Sequence, residues 1–528
     1  MPFGLTIKRG LILVILAGGL LRFFPIWFGL PYLRARPDEE TTISHAIAVL
    51  NGDPNPHFFH WPSLTFYLVA GFLQLATWTR AIVAESASLT PAEQIVVARG
   101  LVAAVGTLTL WCLFRVGLRI GGAATGLIAS LFLSVSILHV RESHFAMTDV
   151  LMTMFVVISL ERLLAALDER TPGEVNRCFA AAGLAGGLAT SAKYSAAAIL
   201  APMCAAQFVL VWRHYSGESR LLAFWWLPAT GFILAAATSF LATSPYALLD
   251  ASQFAADLAF DMTHLSRGHV GDFGHGWSYH LVRSLPYGVG MTICMAAIAG
   301  VVPLVRSVPS HALVLGAFVA AQYAVIGSGR TVFFRYVLPL VPLVCAFAAV
   351  GVMRIGAWCG SYIRGRHSAV VTVVTATIAM PPAVNCVWFD RVLARTDTRV
   401  MAADWLSLHA NTAESLGEAP NEYARLELGD IVHRWYVDGS NGSFRNAGGR
   451  VPDWLVLHES PLWTYAQTPP ALRALAVSRY ELRYVARATT VRSRSAVYDF
   501  QDAFFMPVSR LNTVQRPGPT VLIYRKVR

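Results

Sequence analysis

Residues 11–40 read LILVILAGGLLRFFPIWFGLPYLRARPDEE, an apolar run followed by a polar turn that ends in three acids. A helix that crosses a bilayer needs about 20 apolar residues, so residues 11–30 are predicted to form a first membrane span. The run lacks a cleavage site of small residues, and we interpret it as an uncleaved anchor rather than a signal peptide. Asp38 and Glu39 would then lie just outside the membrane, where carboxylates stay solvated at little cost.

The composition extends this interpretation to most of the chain. The sequence has 528 residues, of which 55% are hydrophobic and 14% charged, whereas soluble domains carry about 25% charged residues. We therefore predict a polytopic membrane protein. The net charge is +11, but the basic residues lie mostly in short loops between apolar runs, which is a membrane-topology pattern and not a nucleic-acid surface. Seven scattered cysteines show neither metal-binding nor disulfide spacing.

Apolar runs long enough to span recur along the chain. They lie at 11–30, 95–118, 122–140, 146–167, 178–192, 194–212, 221–243, 287–305, 311–327, 333–353 and 369–389. A further stretch, 62–79, would make twelve spans instead of eleven. Omitting it keeps the arginine-rich loops on the cytoplasmic side, as the positive-inside rule requires. We therefore predict about 11 spans, with 39–51 and 62–79 as interfacial helices in the first outer loop.

The topology places 31–94, 141–145, 244–286 and 390–528 on the outer side. Beyond residue 390 the composition becomes that of a soluble domain. Residues 398–409 are predicted to form a helix, and 454–458 and 521–524 are predicted to form strands. The predicted fold is mainly α: a transmembrane helix bundle, 1–390, followed by a small extracytoplasmic α/β domain, 391–528.

Three acids on the predicted outer face are candidates for catalysis. Asp38 and Glu39 follow the first span, and Asp149 lies at the outer end of a later one. Ionisable residues at such depths are costly and commonly functional. The alternative is that each acid caps the start of a helix, since acids are favoured there in any helix.

Cations also occur at outer junctions, against the positive-inside bias. Arg99 opens a span from outside, Lys193 lies between two spans, and Arg330 and Arg335 flank a third junction. Only three of the 42 basic residues are lysines, and Lys193 alone is away from the termini. Such cations can bind a phosphate together, and we expect Arg99, Lys193 and Arg335 to converge near Asp38. Alternatively, each is a lipid-headgroup anchor.

The order of these motifs resembles a known family. A span is followed by Asp38-Glu39, then by FHWPSL (59–64), Arg99, HFAMTD (144–149), TSAKY (190–194), SPY (244–246) and RYVLP (335–339). This order is similar to that of the bacterial members of the protein O-mannosyltransferase-like glycosyltransferases, family 39, of the GT-C fold. The resemblance covers residues 1–390 and extends weakly into the tail.

The resemblance implies transfer of a sugar from a polyprenyl-phosphate-linked donor to an acceptor hydroxyl on the extracytoplasmic face. It implies that Asp38 is the base, that Glu39 helps to hold the acceptor or the acid pair, and that Arg99 and Lys193 contact the donor phosphate. Relatives often have a basic residue before the proline pair of the first loop. Trp61 stands there in this chain and Ser63 replaces the second proline, which puts that loop's part in phosphate binding in doubt.

Further residues of the quoted motifs, together with one outer-loop histidine, are candidates for substrate binding: His60, Trp61, His144, Tyr194 and His264. The expected reaction is a one-step displacement that inverts the anomeric centre and requires no enzyme nucleophile, cofactor or metal. A divalent metal is possible, since one outer loop carries His264, His269, Asp272, His275 and His280, but histidine-rich loops commonly just face water.

Other classes of function remain open. A transporter or flippase of lipid-linked substrates would also have many spans and intramembrane charges, although the chain shows no internal repeat. An oligosaccharyltransferase shares the fold class, but its Trp-Trp-Asp signature is absent, because Leu227 follows Trp226. A non-catalytic scaffold for the outer domain is a third reading. The expected location is a bacterial cytoplasmic membrane, and the sugar, acceptor and lipid chain length are not encoded in any motif.

Overall fold

The structure is a computed structural model. It describes residues 2–83, 88–215, 226–362, 367–418, 423–428, 433–438, 443–444, 450–466, 468–490 and 496–527. The chain forms two compact units. Unit 1 comprises Met1–Ile26, Thr41–Leu89 and Val96–Cys386, and unit 2 comprises Trp27–Glu40, Thr90–Ile95 and Val387–Arg528. Unit 2 therefore contains the predicted outer domain together with part of the first outer loop.

The helical part of the chain follows the predicted apolar runs. The long helices are Pro2–Phe23, Pro91–Ser134, Asp149–Asp168, Pro172–Ala192, Leu200–Tyr215, Leu227–Thr243, Met291–Ser307, Pro309–Ser328, Val341–Tyr362 and His367–Leu393. Pro91–Ser134 breaks into two helices at Gly122, whose φ of +84° is left-handed and suits a residue without a Cβ. Each of the eleven predicted runs thus contains a helix.

Shorter helices connect the long ones. They are Glu39–Leu50, Leu64–Val83, Ile137–Glu142, Tyr246–Leu249, Ala251–Arg267, Gly276–Tyr279 and Leu285–Val289, with a π-helical turn at His280–Ser284 and 3₁₀ turns at Tyr194–Ile199 and Phe334–Leu340. The 3₁₀ turns directly precede Leu200–Tyr215 and Val341–Tyr362. The turn Tyr194–Ile199 follows Lys193, and the turn Phe334–Leu340 contains Arg335. The two turns therefore determine where these two cations lie.

Seven helices of the described chain are long and apolar enough to cross a membrane. They are Leu64–Val83, Pro91–Ser134, Asp149–Asp168, Tyr194–Arg213, Pro309–Ser328, Phe334–Ser361 and His367–His409. An eighth is formed if Gly276–Val289 and Met291–Ser307, which meet at 112°, count as one broken span. A mainly helical multi-pass fold is confirmed, whereas the number of eleven spans stays a prediction.

The helix Leu64–Val83 covers most of the stretch 62–79, which we predicted to lie in the membrane interface. Its 20 residues and mean hydropathy of 1.3 meet the requirements of a span. That hydropathy is the lowest of the seven, and only 22% of the apolar window is buried. Trp78 lies exposed near the end of the helix, where an interfacial aromatic residue is favoured. The length and hydropathy of this helix fit a membrane span, whereas its low burial and exposed Trp78 fit an interfacial helix.

Small residues allow close packing within the bundle. A Cβ placed on Gly183 would lie 2.2 Å from the carbonyl oxygen of Phe232, and one on Gly187 would lie 2.2 Å from that of Ala236. The two glycines are four residues apart, so they form one face of the helix Pro172–Ala192, and the helix Leu227–Thr243 packs directly on it. This is the small-residue contact typical of membrane helices, and it positions the end of the helix that precedes Lys193.

The described part of unit 2 contains a six-stranded sheet of order β3-β2-β1-β4-β6-β5. The strands are β1 Ser415–Glu418, β2 His433–Asp438, β3 Ser443–Phe444, β4 Trp454–Glu459, β5 Tyr480–Ala486 and β6 Thr520–Lys526. Strand β1 is parallel to β2 and β4, and the other pairs are antiparallel. The helices of this part are Thr398–His409, Trp463–Ala466 and Pro470–Arg479, with a 3₁₀ turn at Leu511–Thr513.

Both faces of this sheet are covered. Along β4, Trp454 and Val456 pack in one core with Leu406, while Leu455 and Leu457 pack in another with Leu472. The alternation follows from the two-residue period of a strand. The small α/β domain is therefore present as predicted. The predicted division at residue 390 lies close to the boundary at Val387, but Trp27–Glu40 and Thr90–Ile95 also belong to this unit.

Candidate functional site

The acidic turn Asp38–Glu40 belongs to unit 2 and lies at the start of the helix Glu39–Leu50. Asp38 has a φ of +72°, a left-handed conformation that aspartate and asparagine tolerate better than most residues. Glu39 is buried, and Asp38 and Glu40 are half-buried. Backbone strain of this kind is concentrated at functional sites. The structure therefore gives Asp38 a constrained position that helix capping alone does not require.

Sequence analysis gave no role to Glu40. Burial raises the pKa of its carboxyl above the ordinary value, and the neighbouring charges of Asp38 and Glu39 act in the same direction. One of its oxygens, Oε2, is buried and has no hydrogen-bond partner among the residues that the structure describes. The only available sequence signal was that a third acid follows the pair directly. Three adjacent carboxyls make it costly for all of them to be ionised at once.

In unit 1, Asp149 and Lys193 form an ion pair, with Lys193 Nζ 2.6 Å from Asp149 Oδ1. Lys193 ends the helix Pro172–Ala192 in an extended conformation, and Asp149 begins the helix Asp149–Asp168. The Asp149 side chain is 1% exposed and that of Lys193 is 20% exposed. Asp149 Oδ2 is buried and finds no hydrogen-bond partner within the described part of the chain. The sequence placed both residues in the site but did not predict that they pair.

A second cation, Arg335, directly precedes in sequence a residue that contacts Lys193. The Lys193 ammonium is 5.1 Å from the centre of the Tyr336 ring, and Arg335 is the preceding residue. The Arg335 guanidinium lies 4.2 Å from the centre of the Phe333 ring. Cation–π contacts of this kind hold a cation without neutralising it. We define Asp149, Lys193, Arg335 and Tyr336 as the cation cluster.

Aromatic and histidine rings connect the cation cluster with the first outer loop. Successive centroids from Phe58 to Tyr336 are 4.9, 5.2, 6.1, 5.2, 5.3 and 5.5 Å apart. The rings, in order, are those of Phe58, His60, Phe260, His264, His269, Phe333 and Tyr336. Trp61 adds a contact of 5.6 Å with Phe58. Three predicted substrate-binding residues, His60, Trp61 and His264, therefore belong to one ring path.

The helix Ala251–Arg267 holds the first outer loop through its acids. Asp257 Oδ2 accepts a hydrogen bond from the Phe59 backbone N–H at 2.7 Å, and Asp261 Oδ1 lies 3.0 Å from His60 Nδ1. Burial raises the pKa of Asp261, although the neighbouring His60 opposes this. The Tyr194 hydroxyl donates to the Phe59 carbonyl oxygen at 2.9 Å. Tyr194, predicted to bind substrate, thus supports the backbone of the loop.

Arg99 and His144 bind the chain just after the first helix. Arg99 Nη1 donates to the Ile26 carbonyl oxygen at 2.9 Å, and His144 Nε2 lies 2.9 Å from that of Phe24. Both side chains are fully buried. Burial lowers the pKa of His144 to about 4, so its imidazole is neutral near pH 7. The structure shows these two residues anchoring the end of the first helix.

Arg330 differs from the other candidate cations. Its guanidinium lies 3.8 Å from Asp272, and both side chains are about half or more exposed, at 47% and 75%. Exposed pairs of this kind contribute little to stability. The predicted convergence of Arg99, Lys193 and Arg335 on Asp38 stays a prediction, because Asp38 belongs to unit 2 and the cations belong to unit 1.

Among the described residues, no group of three or more His, Cys, Asp or Glu side chains is arranged to hold a metal ion. In the outer loop named above, His264 Nε2 lies 3.1 Å from His269 Nδ1, which is a hydrogen-bond contact between the two imidazoles. Asp272 lies next to Arg330 instead.

One segment of the sequence, which begins within the first outer loop, matches a known family. Residues 57–248 match the family described as dolichyl-phosphate-mannose-protein mannosyltransferase. This similarity covers about a third of the 528 residues. His60, Trp61, Arg99, His144, Asp149, Lys193 and Tyr194 lie within the matched segment. Asp38, Glu39, His264, Arg330 and Arg335 lie outside it, so the match does not cover the acidic turn.

Solved structures of the same fold include two of ArnT from Cupriavidus metallidurans. The apo state is 15% identical, with a TM-score of 0.54 and 98% of each chain covered. The state bound to undecaprenyl phosphate is 13% identical, with a TM-score of 0.52 and 97% of each chain covered. No relative is found among curated proteins. At these identities the likeness concerns the fold.

The archaeal oligosaccharyltransferase AglB from Archaeoglobus fulgidus, in complex with an inhibitory peptide and a dolichol-phosphate, is 11% identical with a TM-score of 0.53. The match covers 81% of this chain and 64% of AglB, so the chain spans less than two thirds of that enzyme's length. Together, the family match of residues 57–248 and these solved structures show the fold of the GT-C membrane glycosyltransferases.

Proposed function

We propose that the protein transfers a sugar from a polyprenyl-phosphate-linked donor to a hydroxyl acceptor on the extracytoplasmic face of a bacterial cytoplasmic membrane. The observation that carries the proposal is the cation cluster, which combines the one internal lysine with a buried carboxylate inside the mannosyltransferase-family segment. The proposal is consistent with what the neighbours bind: ArnT is solved with undecaprenyl phosphate and AglB with a dolichol-phosphate and a peptide.

In the proposed reaction the acceptor oxygen attacks the anomeric carbon of the donor sugar. The new C–O bond forms as the bond between that carbon and the phosphate oxygen breaks, and the electron pair leaves with the lipid phosphate. The acceptor proton passes to a carboxylate, because an alcohol is too weak an acid to ionise by itself near neutral pH. The single displacement inverts the anomeric centre.

We assign the base role to Asp38. Its left-handed backbone sets the position of its Cβ, and a general base must be placed within hydrogen-bond reach of the proton that it removes. The raised pKa of Glu40 means that Glu40 takes up a proton more readily than an ordinary glutamate. The negative charge of the turn is thereby limited. Glu39 completes the acidic turn and is assigned to the acceptor.

We assign the donor phosphate to Lys193 and Arg335. A leaving phosphate gains charge in the transition state, and preorganised cations stabilise that charge. Asp149 holds Lys193 in place through the ion pair, and its Oδ2, which has no hydrogen-bond partner among the described residues, can accept a hydrogen bond from a sugar hydroxyl. His60, Trp61 and His264 of the ring path are assigned to the sugar or acceptor. Arg99, His144 and Tyr194 are assigned supporting positions, in accord with their backbone contacts.

The test is a transfer reaction with the purified full chain in detergent. The chain is incubated with a set of polyprenyl-phosphate sugars and an extract of candidate acceptors, and products are identified by mass spectrometry. A covalent glycoside, formed with release of polyprenyl phosphate, is the expected result. A transporter or flippase forms no covalent product, and its action is seen only where a membrane separates two compartments. Uptake into vesicles, with no product formed in detergent, would therefore overturn the proposal.

A further inference from the structure

Residues 27–40, which we name the first-loop strap, share a compact unit with Val387–Arg528 although nearly the whole helix bundle separates them in sequence. Phe28, which is 2% exposed, makes an edge-to-face contact with Phe504, with ring centroids 5.8 Å apart. A buried aromatic pair of this kind contributes more than its apolar area alone. The strap therefore begins with an apolar anchor on the C-terminal domain.

Tyr32 provides a second anchor. Its ring lies 4.2 Å from the guanidinium of Arg399, and its hydroxyl donates a hydrogen bond of 3.2 Å to the Tyr423 carbonyl oxygen. Asp397 fixes Arg399 through two hydrogen bonds of 2.9 and 2.6 Å. Burial raises the pKa of Tyr32 to about 12, so the phenol stays a neutral donor. The contact is specific because its cation is itself held in place.

Arg36 provides the third anchor. Its Nη1 lies 2.7 Å from Asp502 Oδ1, and the two side chains are 0% and 3% exposed. The guanidinium also lies 5.7 Å from the centre of the Phe504 ring. A buried ion pair requires precise geometry, because both charges have been removed from water. Because desolvation offsets much of its Coulomb energy, such a pair adds little net stability, but it holds the two side chains in one defined geometry.

We propose that the C-terminal domain positions the base through the first-loop strap, and that Arg36 and Asp502 are positioning residues for Asp38. This inference rests on the proposed function, in which Asp38 removes the acceptor proton. Only Pro37 separates Arg36 from Asp38, and a proline fixes its own φ. Little rotational freedom therefore lies between the buried ion pair and the base.

The backbone of Asp38 agrees with this role. A residue other than glycine at a φ of +72° persists only where its surroundings over-determine it. The three anchors Phe28, Tyr32 and Arg36 precede Asp38 within the strap, and each is buried. They supply the constraint that the local sequence lacks. Loss of the last anchor is expected to release the strained conformation first, since that anchor is nearest to Asp38.

The test compares Arg36→Met and Asp502→Asn with Arg36→Lys in the full chain. A displacement of about 1 Å costs about 10²-fold in rate, so kcat should fall by about 10- to 100-fold in the first two variants while the donor KM changes by less than about twofold. Arg36→Lys keeps the charge and should recover part of kcat. Hydrogen exchange of residues 30–40 should rise in Arg36→Met.

Leu472→Ala is the matched control. Leu472 is fully buried in the core that it shares with Leu455 and Leu457, so its truncation destabilises the same domain through a different cluster. At an equal loss of Tm, this variant should keep kcat within about twofold and leave exchange of residues 30–40 unchanged. An equal fall of kcat in Leu472→Ala and Arg36→Met would show a merely structural role and overturn the inference.

The test also separates this inference from the proposed function. If Asp38→Asn is inactive but Arg36→Met keeps kcat, the function stands and the positioning role is wrong. If Asp38→Asn keeps the wild-type kcat, the base assignment fails, and the positioning role fails with it even where exchange of the strap has risen. Folding failure of Arg36→Met leaves Asp502→Asn and Arg36→Lys, whose kcat-against-KM pattern decides the question in the same way.

Discussion

The acidic turn places like charges next to one another, whereas the cation cluster pairs opposite charges. In the turn, Asp38, Glu39 and Glu40 are adjacent, and their charges together with burial raise the pKa of Glu40. In the cluster, Asp149 lies 2.6 Å from Lys193, so a buried acid is compensated by a cation. A strained acidic turn is suited to accepting a proton, whereas a compensated cluster is suited to holding an anion. In the proposed reaction, similar residue types thus serve the two halves of one displacement.

The largest effect is expected at the acidic turn. Asp38→Asn keeps a side chain that tolerates positive φ but removes the base, so turnover should fall by about 10²- to 10⁴-fold. Binding of polyprenyl phosphate, measured by calorimetry with the detergent-solubilised chain, should stay within about twofold. Retention of more than about a tenth of the activity would remove Asp38 from the base role.

The next largest effect is expected in the cation cluster. Lys193→Ala removes a charged contact worth about 1.5–3 kcal/mol, so donor affinity should fall by about 10- to 100-fold. Lys193→Arg should rescue only in part, because a planar guanidinium does not reproduce a compact ammonium. Titration with polyprenyl phosphate measures both variants.

Asp149→Asn sharpens the same comparison. It removes the negative charge beside the Lys193 ammonium, so turnover should fall while affinity for the lipid phosphate is kept or improved. An affinity loss as large as that of Lys193→Ala would show that the ion pair acts as one structural unit, which would contradict a direct phosphate contact by Lys193.

A smaller effect concerns stability against pH. The folded-state pKa of Glu40 is raised, so the folded state favours its neutral form, and the associated stability is lost as pH rises through the raised value. Glu40→Gln stays neutral and should exceed the wild-type Tm by about a degree at pH 8. The difference should shrink toward the ordinary glutamate pKa of 4.5. Parallel melting curves across this range are the measurement, and a gap that widens toward acid would contradict the assignment.

The last prediction concerns the membrane topology, and it is tested with reporter fusions that alter no side chain. Reporter fusions after residues 89, 170 and 400 should lie outside, inside and outside the membrane, respectively. This outcome would place Leu64–Val83 in the interface and keep the acidic turn on the outer side. A cytoplasmic signal at residue 89 would make Leu64–Val83 a span and refute the eleven-span prediction.

Much of the fold was accessible from local sequence. Every predicted apolar run contains a helix, because length and hydropathy are local properties. The GT-C fold, which the order of short motifs suggested, is confirmed by the solved structures, and residues 57–248 match the mannosyltransferase family. The strands at Trp454 and Val521 also lie where they were predicted.

The site was less accessible, because its contacts join distant positions. Asp149 and Lys193 were candidates, but nothing local encodes that they pair across 44 residues. The Arg36–Asp502 contact spans 466 residues, so the strap appeared to be an ordinary part of the first outer loop. The ring path similarly joins three separate segments. Pairings of this kind depend on tertiary packing, which hydrophobic periodicity does not specify.

The most direct measurement is a single-turnover experiment on Asp38→Asn and Lys193→Ala, in which the transfer rate and the donor affinity are determined in the same preparation. The account predicts that Asp38→Asn loses the rate at saturating donor and keeps the affinity. It predicts that Lys193→Ala mainly loses the affinity. If the two variants show the same pattern, or if Asp38→Asn weakens donor binding without slowing the bound donor's transfer, the division of roles between the acidic turn and the cation cluster is contradicted.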